Sequence, residues 1–132
     1  MPRFVSTTRP SFPRVPLDAL LDPPADQRWQ VLCGDEGHWR VGVYAPAESR
    51  AADIVELERH DCPEFFLLIA GRMTLLMAKE GRIVEQPLEL MRPILVDAPH
   101  CGFCPDGPHT GTALVVERDA FATEYRKPGE WL

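Results

Sequence analysis

The chain has 132 residues, of which 45% are hydrophobic and 26% charged, with a formal net charge of −6. That length suits one domain with a core of its own, and the composition excludes wholesale disorder. The acidic balance excludes sequence-wide attraction to nucleic acid or an anionic membrane, and no apolar run is long enough to span a bilayer.

Residues 1 to 27 read as a proline-rich arm, with Pro10, Pro13, Pro16, Pro23 and Pro24 at short intervals. Within it, Leu17 to Leu21 is expected to make one helical turn or an apolar plug, lying along the domain or across a dimer partner. Residues 28 to 132 read as a single β domain. Trp29 to Cys33 is a strand, followed by the turn cluster Gly34 to Gly37. His38 to Tyr44 alternates, with Trp39, Val41 and Val43 on one face and His38, Arg40 and Tyr44 on the other. After a loop from Ala45 to Ala52, Asp53 to His60 alternates again, with Val55 and Leu57 opposite Glu56, Glu58 and His60. Glu64 to Ala70 is nearly continuously apolar, which predicts a strand covered on both faces. Met73 to Ala78, Arg82 to Leu88, Pro93 to Val96 and Thr112 to Glu117 complete the strands. The polar tail is expected to hold a short helical turn around Ala120 to Tyr125.

This spacing predicts an all-β antiparallel sandwich or small barrel. Fourteen prolines point the same way, because interior prolines break helices while turns accept them. The opening Met1-Pro2-Arg3-Phe4-Val5 lacks the apolar run of a secretory signal. A cytoplasmic protein is therefore expected, with Cys33, Cys62, Cys101 and Cys104 as reduced thiols. No P-loop, dinucleotide fingerprint or Gly-x-Ser-x-Gly elbow is present.

The segment that carries chemistry is Glu58-Arg59-His60-Asp61-Cys62-Pro63-Glu64, followed by six residues and Gly71. Residues two apart on a strand share a face, so Glu58 and His60 point together. Pro63 turns the chain, and a hairpin can bring Glu64 back beside His60. A second histidine, His100, follows a later strand. Imidazole nitrogen with carboxylate oxygen is a ligand set for a divalent transition metal with open positions. The solvated face of a half-buried strand is the alternative reading of Glu56, Glu58 and His60.

These residues resemble the cupin superfamily. Its first motif runs His-x-His, three or four residues, Glu, six residues, Gly, which fits His60, Glu64 and Gly71. Leu95-Val96-Asp97-Ala98-Pro99-His100 is similar to its second motif. The resemblance implies a double-stranded β-helix, a jelly-roll barrel, with a divalent metal (Fe, Mn, Ni or Zn) on His60, Glu64 and His100. The first motif histidine is replaced by Glu58. That residue is then a fourth ligand, a hydrogen-bonding partner of a ligand, or the mark of a cupin that has lost its metal. Leu114-Val115-Val116-Glu117-Arg118 and Glu64-Phe65-Phe66 resemble 3-hydroxyanthranilate dioxygenases, which implies that Glu117 contacts substrate. That family has an arginine shortly after the second-motif histidine, where this chain reads Cys101-Gly102-Phe103-Cys104.

The resemblance implies a metal-dependent enzyme on a small molecule, with an Fe(II) oxygenase of a small carboxylated substrate as the finer expectation. Glu58 or Glu117 would move protons, and Arg40 and Tyr44 would line the pocket, Arg40 suiting a carboxylate. A non-catalytic ligand-binding or sensing cupin and a metal-dependent isomerase are the alternatives, since fold alone assigns no reaction. A homodimer is expected, with no nucleic-acid or membrane partner. His38 is expected at the surface and His109 in solvent, as a reserve ligand. Cys101 and Cys104 read as small buried or loop thiols. Cys62 and Cys101, as neighbours of His60 and His100, are expected near the metal.

Overall fold

A computed structural model describes residues 2–24 and 26–132. Met1 and Ala25, both within the expected arm, lie outside the described residues. The chain forms β1 (Arg3–Thr7), β2 (Trp29–Asp35), β3 (Trp39–Tyr44), β4 (Leu57–His60), β5 (Glu64–Ala70), β6 (Thr74–Lys79), β7 (Arg82–Pro87), β8 (Ile94–Val96), β9 (His100–Phe103), β10 (Thr112–Arg118) and β11 (Phe121–Arg126). Single 3-10 turns lie at Ala51–Asp53 and Pro128–Trp131. One sheet has the order β1-β11-β4-β9-β6-β7, the other β2-β3-β10-β5-β8, and the paired strands are antiparallel. This is the expected jelly-roll arrangement of two sheets. Among the described residues no helix is long and apolar enough to cross a membrane.

Alternation places the core. Phe66 and Leu68 of β5, Leu75 and Met77 of β6, and Ala113 and Val115 of β10 point between the sheets and pack with Met73, Val96 and Cys104. Each large apolar side chain buried there contributes roughly 1.5–3 kcal/mol. A second cluster lies behind the six-stranded sheet, where Leu57, Leu76 and Phe103 are covered by Ile54, Ala51 and Trp131. The Trp131 indole N–H donates to the Leu57 carbonyl at 3.3 Å. Gly71 ends β5 at φ +66, and a Cβ there would lie 2.0 Å from the Thr110 carbonyl oxygen. No other residue fits that crossing.

Several expectations are corrected. Phe121 to Arg126 is a strand, not a helical turn: Phe121 and Thr123 are buried in alternation, and the polar composition concealed that period. The strand expected from Asp53 begins only at Leu57, because Ala51–Asp53 turns and Val55 is 71% exposed. Arg3–Thr7, read as part of the arm, pairs with β11 of its own chain. β9 was not legible as a strand, since its four residues are a histidine, a cysteine, a glycine and a phenylalanine, all buried, with no alternation. β5 is covered on its inner face only: Phe65, Leu67 and Ile69 are half-buried and belong to neither cluster. Leu17 and Leu20 form no helix and plug nothing in their own chain, being 91% and 98% exposed.

The arm is tied to the barrel at Ser11. Its backbone N–H donates to Asp119 Oδ1 at 2.9 Å, its hydroxyl donates to the same carboxylate, and the Gly37 N–H donates to Asp119 Oδ2 at 3.0 Å. Burial alone would raise the Asp119 pKa, but these donors more than offset it and hold it below the usual range. A depressed carboxylate contributes stability that is present above its unfolded value and lost as pH falls through the folded one. Asp119→Ala is therefore expected to lower stability at neutral pH by about 2 kcal/mol in urea unfolding. The gap from wild type should begin to narrow below about pH 4 and close as pH falls through the lower folded value. Leu20→Ser on the exposed arm should stay within about 0.5 kcal/mol of wild type.

Candidate metal centre

β4 carries Glu58 and His60 on its inner face, and the Asp61–Pro63 turn brings Glu64, the first residue of β5, back against it. His60 Nε2 and Glu64 Oε1 are 2.8 Å apart. β9 meets β4 through one residue pair, Glu58 with His100, which delivers the second imidazole. His100 Nε2 lies 3.1 Å from Glu64 Oε1. Glu58 Oε1 lies 3.6 Å from His60 Nε2 and 3.8 Å from His100 Nε2. Glu64, His60 and His100 are buried.

The outer nitrogens orient both rings. His100 Nδ1 is 2.9 Å from the Ala98 carbonyl oxygen, which can only accept. Nδ1 therefore carries a proton, and in the neutral ring the lone pair belongs to Nε2. His100 Nε2 is buried and makes no hydrogen bond, although Glu64 Oε1 lies 3.1 Å away. His60 Nδ1 is held 2.7 Å from the Thr123 hydroxyl. Metal bonds of about 2.0–2.2 Å put neighbouring ligand atoms roughly 3.0–3.5 Å apart. The contacts of Glu64 and Glu58 to the two rings, 2.8 to 3.8 Å, stand near that spacing, and Glu58, His60 and His100 are close enough together to hold one ion. The residues present fit a divalent metal, and a polar atom on the far side of each ring is the usual support for such ligands.

Electrostatics point the same way. Burial opposes charge on Glu64, yet the two imidazoles more than offset it and hold its carboxyl well below the usual range. Burial likewise lowers His60, but Glu58 and Glu64 push it up to about 10. His100 is raised against its burial by the same two carboxylates. Without a cation the cluster holds protons in its place, so metal and protons compete. Glu117 is pushed up to about 7 by burial and by the charge of Glu64, with Arg40 opposing. Its carboxylate also lies close enough to His60 and Glu64 for a shared ion.

The centre forms the floor of a cavity of about 590 Å³. Arg40, Tyr44 and Glu117 are in its wall. Arg40 is not free there: Nε donates to Glu117 Oε2 at 2.8 Å and Nη1 to the Ser11 carbonyl at 3.1 Å. The Tyr44 hydroxyl accepts the Gly102 N–H at 2.9 Å, and a Cβ on Gly102 would press into the Tyr44 ring. Cys101 lines the cavity, 3.8 Å from the Tyr44 hydroxyl, whereas Cys62 does not line it. Cys104 is buried elsewhere, against Gly111. His38 is exposed. His109, expected in solvent, is half-buried with Nδ1 2.6 Å from the Ala45 carbonyl oxygen, and it does not line the cavity. Sequence reasoning missed Thr123, hidden in a polar tail, and Arg28, which pairs with Glu48 at the cavity wall. The Phe121-x-Thr123-x-Tyr125 alternation was the available signal for the first. Nothing local marked the second.

No family model and no curated protein matches the sequence. Solved structures do. HppE in its Fe(II) form is 11% identical, over 89% of this chain and 56% of that one, with a TM-score of 0.54. Hydroxypropylphosphonic acid epoxidase from S. wedmorenis is 13% identical, over 90% of this chain and 62% of that one, at a TM-score of 0.53. HppE in a Co(II) form with substrate is 15% identical, over 75% and 57%, at a TM-score of 0.52. The chain has a cupin-type fold. It spans only about six-tenths of the length of these proteins, and likeness at this identity concerns the fold.

Purified protein is expected to carry close to one equivalent of divalent metal by elemental mass spectrometry. His60→Ala and His100→Ala should each lose it, since second-sphere losses alone cost about 10–100-fold in affinity and ligand losses more. Because binding displaces protons from His60 and His100, affinity should fall steadily as pH is lowered from about 8 to about 5. A pH-independent affinity would count against this ligand set.

Proposed function

We propose that this chain is a metal-dependent cupin enzyme acting on a small polar molecule. What carries the reading is that Glu64 and Glu58 each stand against both His60 and His100 at the floor of a cavity of about 590 Å³. A divalent metal bound there would supply Lewis acidity and, as Fe(II), reactivity toward dioxygen.

The remaining steps belong to the protein's own groups. Glu58, the least buried of the four with its side chain 34% exposed, is placed to take or return a proton at its carboxylate, beside the Tyr125 hydroxyl. Glu117, pushed up to about 7 by burial and Glu64, exchanges a proton near neutral pH, and Arg40 fixes its orientation through Oε2. Phe66 and Val115 exclude water on the inner side. The finer reading is an Fe(II) oxygenase of a small carboxylated substrate. Arg40 was the expected carboxylate partner, but it is held by Glu117 and Ser11. Arg28 pairs with Glu48 and donates to the Cys101 thiol, but its side chain is 46% exposed beside Tyr44 against 10% for Arg40, which makes it the better receptor. The similarity of Leu114–Arg118 to 3-hydroxyanthranilate dioxygenases supports Glu117 as a cavity residue and nothing more specific.

A second reading, proton transfer in an isomerase, is favoured by one observation: Glu58 and Glu117 both face the cavity with carboxyls shifted in opposite directions. Fe(II)-reconstituted protein screened against small carboxylic acids, in an oxygen electrode and in deuterated water, separates the two. Oxygen uptake with at least one acid is expected, lost in His60→Ala. Arg28→Met should raise KM roughly 10–100-fold while kcat changes little, the size of one charge-assisted hydrogen bond. Deuterium uptake without oxygen consumption would favour the isomerase, and binding without either would favour a sensing cupin.

A further inference from the structure

The two sheets are covered unequally. The chain shields the back of the six-stranded sheet with Ile54, Ala51 and Trp131. On the back of the five-stranded sheet, register aligns two apolar rows. Val41, Val116, Phe65 and Leu95 stand side by side across β3, β10, β5 and β8. Val43, Leu114 and Leu67 form the adjacent row. Neither core cluster includes any of these residues. Apart from the buried Val43 they keep surface in solvent, and Leu95 is 68% exposed.

We propose that this face is where two copies of the chain pair. An apolar patch of this extent on a small protein marks an interaction surface. The thirty residues of these five strands, at a rise of about 3.3 Å and a strand spacing of about 4.8 Å, offer roughly 475 Å² of sheet per copy. Two such faces bury about 1,000 Å² before side-chain relief adds to it, the lower bound for a specific interface. The chain's net charge of −6 opposes self-association over most of the surface. It does not act across this face, whose charges, Asp35 and Arg118, flank Trp39 at one end and are of opposite sign. A flat apolar face with balanced end charges is its own complement under a two-fold axis, with the sheets stacked about 10 Å apart. The cavities lie on the opposite side of each sheet and stay open.

Sedimentation of the full chain at about 50 μM, a concentration that populates any pair tighter than micromolar, should give twice the 14.9 kDa chain mass. Leu95→Glu, at an already exposed position, should give the monomer with an unchanged circular dichroism spectrum and metal content. Val116→Glu should do the same. Leu20→Glu on the arm should leave the dimer intact. Should a face variant fail to fold, Leu95→Cys supplies the same reading: maleimide labelling about tenfold slower at high than at low protein concentration. A monomeric wild type, a dimer that survives both face variants, equal labelling rates, or a dimer lost on Leu20→Glu would each overturn the proposal. The last would place the contact on the arm.

Discussion

Glu64 stands between two imidazoles, and much of the structure follows from keeping that carboxylate charged out of water. A buried, unpaired carboxylate is costly, and burial alone would neutralise it. His60 and His100 prevent that from opposite sides, and their own outer nitrogens are spoken for by Thr123 and Ala98. Each partner arrives on a different strand. β5 supplies the carboxylate, β4 and β9 the rings, β11 the hydroxyl. The order of the six-stranded sheet, with β4 between β11 and β9, is what sets these groups around one point.

The sequence spoke most clearly where period and spacing coincided. β5 is bounded as its apolar run predicted, from Glu64 to Ala70, with the positive-φ Gly71 just beyond it. The hairpin spacing from His60 to Glu64 was legible for the same local reason. His100 was legible only through the likeness of its segment to a known motif, since nothing near it in the chain announces where β9 will lie. What failed was long-range. β11 was misread because its inward residue, Thr123, is buried for its hydroxyl and not for apolarity. β1 was missed because a proline-rich neighbourhood masks five residues whose pairing partner lies more than a hundred positions away. Arg40 was placed in the right wall, but no local pattern could tell that Glu117, opposite it across β3 and β10, would already hold its guanidinium.

The buried pair Arg40–Glu117 also joins two parts of the molecule. Arg40 reaches Ser11, Ser11 reaches Asp119, and Asp119 reaches the Gly37 turn. The arm's position and the cavity wall therefore share one hydrogen-bonded chain. Removing one member of such a network leaves the others unsatisfied out of water, so the pair fixes geometry more than it adds stability.

The join between β4 and β9 is a single residue pair, whereas β9 meets β6 over four. His60 and Glu64 thus belong to one side of a seam and His100 to the other, with little backbone ladder to lock their separation. A rigid cage discriminates between ions by radius; a seam that opens by tenths of an ångström does not. For a divalent metal held there, the choice among iron, manganese, nickel and zinc would pass from the shape of the site to the ligand chemistry and to which ion the surroundings supply.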